Sequence, residues 1–110
     1  MVNIFAVDVL GTVYSVQMKN MVEEPELEKC DGYCDHTTKT IIIADLQQTP
    51  GSLGDLDKYT KHVIRHELVH AFLHESGLDA NSWASNEEIV DWIAMQFPKM
   101  LEAFKELDAI

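Results

Sequence analysis

The chain is poor in positive charge, with 8 Lys and Arg against 19 Asp and Glu in 110 residues, a formal net charge of -11. That balance repels phosphate backbones, so nucleic-acid binding is not expected, and a neutral or cationic partner suits the surface better. Taken alone, the acidity speaks to solubility. Long apolar runs are missing too: no stretch approaches the ~20 residues of a membrane-spanning helix. The start, Met1-Val2-Asn3-Ile4, has no basic segment followed by an apolar core. A cytoplasmic protein without a membrane partner is the expectation. Cysteine is scarce, with only Cys30 and Cys34, and three residues between them is neither zinc-ribbon nor redox Cys-x-x-Cys spacing. They are read as reduced thiols. A disulfide, or a second metal site made of Cys30, Cys34 and His36, is the alternative.

What is present is an ordinary globular composition, 46% hydrophobic and 25% charged. The length accommodates one core, hence one domain over 1–110. No repeat, low-complexity tract or domain linker interrupts it. Asn3–Val9 and Thr12–Lys19 carry β-branched and aromatic residues around a Leu10-Gly11 break and predict a hairpin. Met21–Lys29 is acidic connecting chain, in which Pro25 can open a short helix through Leu27. Asp31-Gly32 signals a turn, Tyr33 and Cys34 look strand-like, and Asp35-His36-Thr37-Thr38 is a polar reversal. With the β-branched run Thr40–Ala44 this predicts a second hairpin, whose last strand is either the most buried or the most edge-exposed.

A loop over Gln47–Gly54 leads to a helix. Ser52 and Asp55 form a variant capping box that places its start near Leu53. Leu56, Tyr59, Val63, Ile64, Leu68, Ala71, Phe72 and Leu73 keep three- and four-residue spacing to about Ser76, where Gly77 ends it. Lys58, Lys61 and Arg65 on this helix read as a solvated face. Leu78–Ala84 is a linker with Trp83 as a packing anchor. Ser85 and Glu88 make a capping box for a second helix, Glu87 to about Leu107, which Pro98 is expected to kink or divide.

The chemistry concentrates in His66-Glu67-Leu68-Val69-His70. Histidines four apart on a helix project from one face, so both imidazoles can ligate one ion. In the His-Glu-x-x-His pattern the pair binds zinc and the carboxylate is the general base of a hydrolysis. A catalytic zinc takes three protein ligands and keeps a fourth position open. His62 and His74 continue the spacing, but His66 and His74 stand about 12 Å apart at ~1.5 Å per residue. They are therefore left as flanking residues at the rim or facing solvent. The second helix offers Glu87, seventeen residues beyond His70, as the third ligand. Asp91, four further on, can hydrogen-bond the far nitrogen of a ligating histidine. Glu88 is the alternative ligand, and acids at a helix start are also favoured simply by the helix dipole.

His66-Glu67-x-x-His70 followed by Asn86-Glu87-x-x-x-Asp91 resembles the gluzincins, the zinc metallopeptidases related to thermolysin. The order of a strand hairpin containing Asp31-Gly32-Tyr33-Cys34-Asp35, a β-branched strand, the histidine helix and the glutamate helix is similar to the minigluzincins and to bacterial and phage peptidases related to the ImmA/IrrE family. The resemblance covers about Gly32 to Pro98. It implies an α+β fold, a minimal zincin-like domain with a small twisted sheet on an active-site helix and a glutamate-bearing helix. It also implies an edge strand, Thr40–Ala44, lining the cleft. The implied activity is zinc-dependent hydrolysis of peptide bonds in a peptide or protein substrate, with Zn2+ held by His66, His70 and Glu87, Glu67 as base and Asp91 behind the ligands. Tyr33, Tyr59 or His74 could supply a second electrophile. Leu68-Val69 stand where the family often has Gly or Ala, and no large C-terminal subdomain follows, so a restricted or latent activity is implied. The competing readings are a catalytically silent zinc-binding interaction module and a metal-free helical domain with ordinary surface histidines. Oligomeric state and substrate are left open.

Overall fold

Where β-branched residues crowd the first half of the chain, they form strands. The computed structural model describes residues 4–46, 54–78 and 82–110. The first hairpin is β1 (Ile4–Val9) with β2 (Thr12–Lys19). Pairing of Val9 with Thr12 leaves Leu10 and Gly11 as a two-residue turn, with φ of 52° and 93°. Positive φ at both central residues matches the right-handed twist of the strands it joins, and Asp8 Oδ1 accepts the Gly11 N–H at 2.8 Å. The second hairpin is β3 (Gly32–Asp35) with β4 (Thr40–Ala44). Between the hairpins, Pro25–Glu28 forms a single 3-10 turn.

The hairpins join into one four-stranded mixed sheet of order β1-β2-β4-β3, with β4 parallel to β2. The strand expected to lie at the cleft edge, Thr40–Ala44, is therefore internal, and β3 is the edge. The reason is the run Ile41-Ile42-Ile43-Ala44, buried on both faces, because a continuously apolar strand needs a cover on each side. Ile41 and Ile43 join Val9, Tyr14 and Val16 on the helix side. Ile42 and Ala44 pack with Leu27 on the other.

Helix α1 (Leu56–Glu75) crosses the first of these faces and buries Val63, Glu67 and Ala71. Its cap is Asp55, whose carboxylate accepts the Lys58 N–H at 2.9 Å, so it starts later than expected; Ser52 and Leu53 lie outside the described residues. Helix α2 (Glu87–Glu106) packs Val90 and Ala94 inward. Its cap is Asn86, accepting the Ile89 N–H at 3.0 Å. The expected cap, Ser85, instead donates its hydroxyl to the Ser82 carbonyl within a 3-10 turn at Trp83–Ser85. Trp83 is 49% exposed, so it is not the buried anchor expected of it.

Pro98 lies inside α2 without dividing it. Proline lacks the N–H that would reach the carbonyl four residues back, here Ala94, and Arg65 Nε of α1 donates to that carbonyl at 2.6 Å. Arg65 thus ties the helices together and is not part of a solvated face; Lys61 pairs with Asp57. The result is an α+β arrangement of a mixed sheet with two helices. No helix among the described residues is long and apolar enough to cross a membrane.

Candidate metal centre

The four-residue spacing on α1 sets the His66 and His70 rings side by side, centroids 4.9 Å apart. The start of α2 brings Glu87 to both: His66 Nε2 lies 3.2 Å from Oε2 and His70 Nε2 lies 2.8 Å from Oε1. One ligand atom from each residue falls within 4.8 Å of the others, and among the described residues no other group of His, Cys, Asp or Glu does so. Glu88, next in sequence, points about 100° around the helix from Glu87 and is outside this group.

One turn along α2, Asp91 Oδ1 lies 2.9 Å from His66 Nδ1. That contact holds the imidazole with Nε2 toward Glu87, the arrangement that fixes a ligating tautomer. The same oxygen lies 2.8 Å from His62 Nε2. His62 is therefore engaged behind the site, at the rim of the adjoining cavities rather than facing solvent. Burial pushes the Asp91 carboxyl up, but the hydrogen bonds from His62 and His66 outweigh it and hold it below the ordinary value. Burial also lowers His70, which favours the neutral imidazole that can ligate.

Glu67 faces the sheet, 7% exposed. Burial raises its carboxyl to about 7, with His66 pulling it down and Glu87 pushing it up. It can lie there because of Gly32. A methyl group at that position would stand 2.9 Å from Val63 Cγ1, 3.1 Å from the Ile42 carbonyl oxygen and 3.4 Å from Glu67 Cγ. Glycine thus lets α1 settle against the edge strand. Asp31-Gly32 reads as a turn signal in sequence, and nothing in it foretells this contact.

A cavity of about 370 Å³ runs past His66, Glu67, His70 and Glu87 and is walled by Gly32, Cys34 and His36 of the edge strand and its turn. His36 is the neighbour sequence reasoning missed as part of this cleft. Its ring stacks on His74 with centroids 4.0 Å apart, which places His74 in a ring pair. Of the other candidate electrophiles, Tyr59 donates its hydroxyl to Asp31. Tyr33 packs with Ile42 on the sheet face away from α1 yet also lines this cavity, and it is pushed up to about 12 by burial and by Glu24. Cys30 and Cys34 are free thiols. Cys34 is raised to about 12 by burial and sits 3.6 Å from His36 Nδ1. Cys30, Cys34 and His36 do not form a metal-ligating group.

Two imidazole nitrogens and one carboxylate form a donor set zinc accepts, and three ligands leave a fourth position open. With His66 oriented by Asp91 and His70 shifted by burial toward its neutral form, the side chains fit such an ion. No family model, curated protein or solved structure matches this chain.

Proposed function

We propose that the protein is a zinc-dependent peptidase with a minimal zincin-like core. The observation that carries the reading is the convergence of His66 Nε2, His70 Nε2 and the Glu87 carboxylate within 4.8 Å, beside a buried carboxylate that is not one of the three. When bound, zinc supplies Lewis-acid polarisation of a substrate carbonyl and lowers the pKa of water. Asp91 holds His66 through Nδ1, so the ligand does not have to reorganise. The Glu67 carboxylate takes a proton from the attacking water and returns it to the nitrogen of the departing amine. Burial raises this carboxyl, which makes it a stronger proton acceptor, and a bound cation would draw it back toward its ionised form. The outer edge of β3 presents main-chain groups on which a peptide can add as a further strand.

Glu67→Gln tests the reading. Zinc content is expected to stay at one equivalent while cleavage of an unstructured protein such as casein is lost. Cleavage that survives the substitution would falsify the role of Glu67. The silent zinc-binding module draws support from the 7% exposure of Glu67, which limits the water that reaches its carboxylate to what the cavity beside it admits. It predicts one equivalent of zinc and no cleavage in the unsubstituted protein.

A further inference from the structure

We propose that a second cavity beside the metal centre is a carboxylate subsite for an acidic residue of a bound peptide; this rests on the peptidase reading. The cavity, about 650 Å³, lies between α1 and α2. Lys58, Arg65 and Lys99 line it, three of the 8 cationic side chains in a chain of net charge -11. None of the three pairs with a carboxylate among the described residues, where the ion pairs of lysine are Lys39 with Glu75 and Lys61 with Asp57. The side chains lining the cavity, three cations against Asp55 and Asp91, are thus positive in formal charge within a chain that is acidic as a whole.

The chemistry of the pocket narrows the ligand. Arg65 is anchored through Nε to the Ala94 carbonyl, which leaves its two terminal nitrogens as donors. Asp55 and Asp91 also line the cavity, but Asp55 accepts the Lys58 N–H and Asp91 is engaged by His62 and His66. Three cations against two carboxylates leave one net positive charge, which suits a monoanionic carboxylate better than a phosphate dianion. Tyr59 and Met95 supply apolar wall for the methylene groups that carry such a carboxylate. Tyr59, His62 and Asp91 also line the cleft that reaches His66 and Glu87, so the two spaces adjoin. His62 is one turn from His66, about 6 Å along the helix axis, or roughly two residues of extended peptide. An acidic residue held beyond His62 therefore sits at least two positions from the bond that is cut.

The test compares two blocked pentapeptides, acetyl-Ala-Ala-Glu-Ala-Ala-amide and its Gln counterpart, binding to the Glu67→Gln protein as followed by NMR titration. The Glu peptide is expected to bind about fivefold more tightly at about 50 mM salt, with the difference gone near 500 mM. It is also expected to vanish in a Lys58→Gln, Lys99→Gln double variant, whose altered residues are exposed. Equal binding of the two peptides, no binding of either, or a preference that survives the double variant overturns the proposal. So does glutarate binding as tightly as the Glu peptide, since the site would then serve a free small carboxylate. Cleavage by the unsubstituted zinc-loaded protein separates the two claims. A Glu preference without cleavage counts against the peptidase alone, and cleavage without the preference counts against the subsite alone.

Discussion

Glu75, at the end of α1, gathers three donors from the sheet: Lys39 Nζ at 2.9 Å, the Tyr14 hydroxyl at 2.8 Å and the Thr12 hydroxyl at 2.9 Å. Tyr14 is fully buried, and a buried phenol needs a partner for its hydroxyl. Lys39 first, then Tyr14 and Thr12, bring the Glu75 carboxyl down to about 2 from an ordinary 4.5. A lowered folded-state value means that the unfolded chain takes up the proton first as pH falls. The contribution to stability is thus complete above about pH 4.5 and is lost progressively toward pH 2. Urea unfolding at pH 7, 4 and 3 is expected to show a steeper acid loss for the unsubstituted protein than for Glu75→Gln. Parallel losses would mean that the three contacts do not act as a charge site. Nothing local in the sequence marks this group, because its partners are 63, 61 and 36 residues away.

Among the elements, α2 is the more instructive. Its cap moved by one residue from the expected Ser85, because Ser85 is used inside the preceding 3-10 turn and Asn86 has a free amide oxygen to accept the Ile89 N–H. Asn86→Ala is expected to cost about 1 kcal/mol by denaturant unfolding and Ser85→Ala much less; the opposite ranking would restore the capping box. At Pro98, Arg65 supplies the donor that the helix itself lacks. Arg65→Ala leaves the Ala94 carbonyl without its donor and is expected to cost about 1–3 kcal/mol. Replacing Pro98 by Ala returns a backbone N–H to that carbonyl, so in the Pro98→Ala background the same arginine substitution is expected to cost clearly less. Additive losses in the double-mutant cycle would show that Arg65 acts elsewhere.

In the molecule as a whole, the proposed ligands come from two helices that also meet through Val90, Ala94 and the Arg65 contact. An ion held by His66, His70 and Glu87 binds the folded chain and not the unfolded one. At about a thousandfold excess over Kd that stabilises by about 4 kcal/mol, a rise in Tm on the order of 10–20 °C for a domain of this size. Zinc is expected to produce the rise, EDTA to reverse it, and His66→Ala to abolish it. An unchanged Tm on adding zinc would remove the ion from the fold.

Sequence alone determined what depends on short-range chemistry. The strands and their two hairpins, the extents of α1 and α2 to within a few residues, and the shared face of His66 and His70 all follow from period, β-branching and turn residues. Glu87 and Asp91 share a face by the same helical arithmetic applied to a second helix, and the structure brings both to the histidines. Tertiary structure decided what depends on which surfaces meet. Thr40–Ala44 became a central strand because both of its faces found apolar cover, and that put β3 at the edge beside Glu67. Gly32 gained its meaning only from the helix lying on it, as Arg65 did from the carbonyl that Pro98 leaves unserved. Local patterns set each residue's own conformation, whereas its contacts across the core depend on packing the sheet and both helices at once.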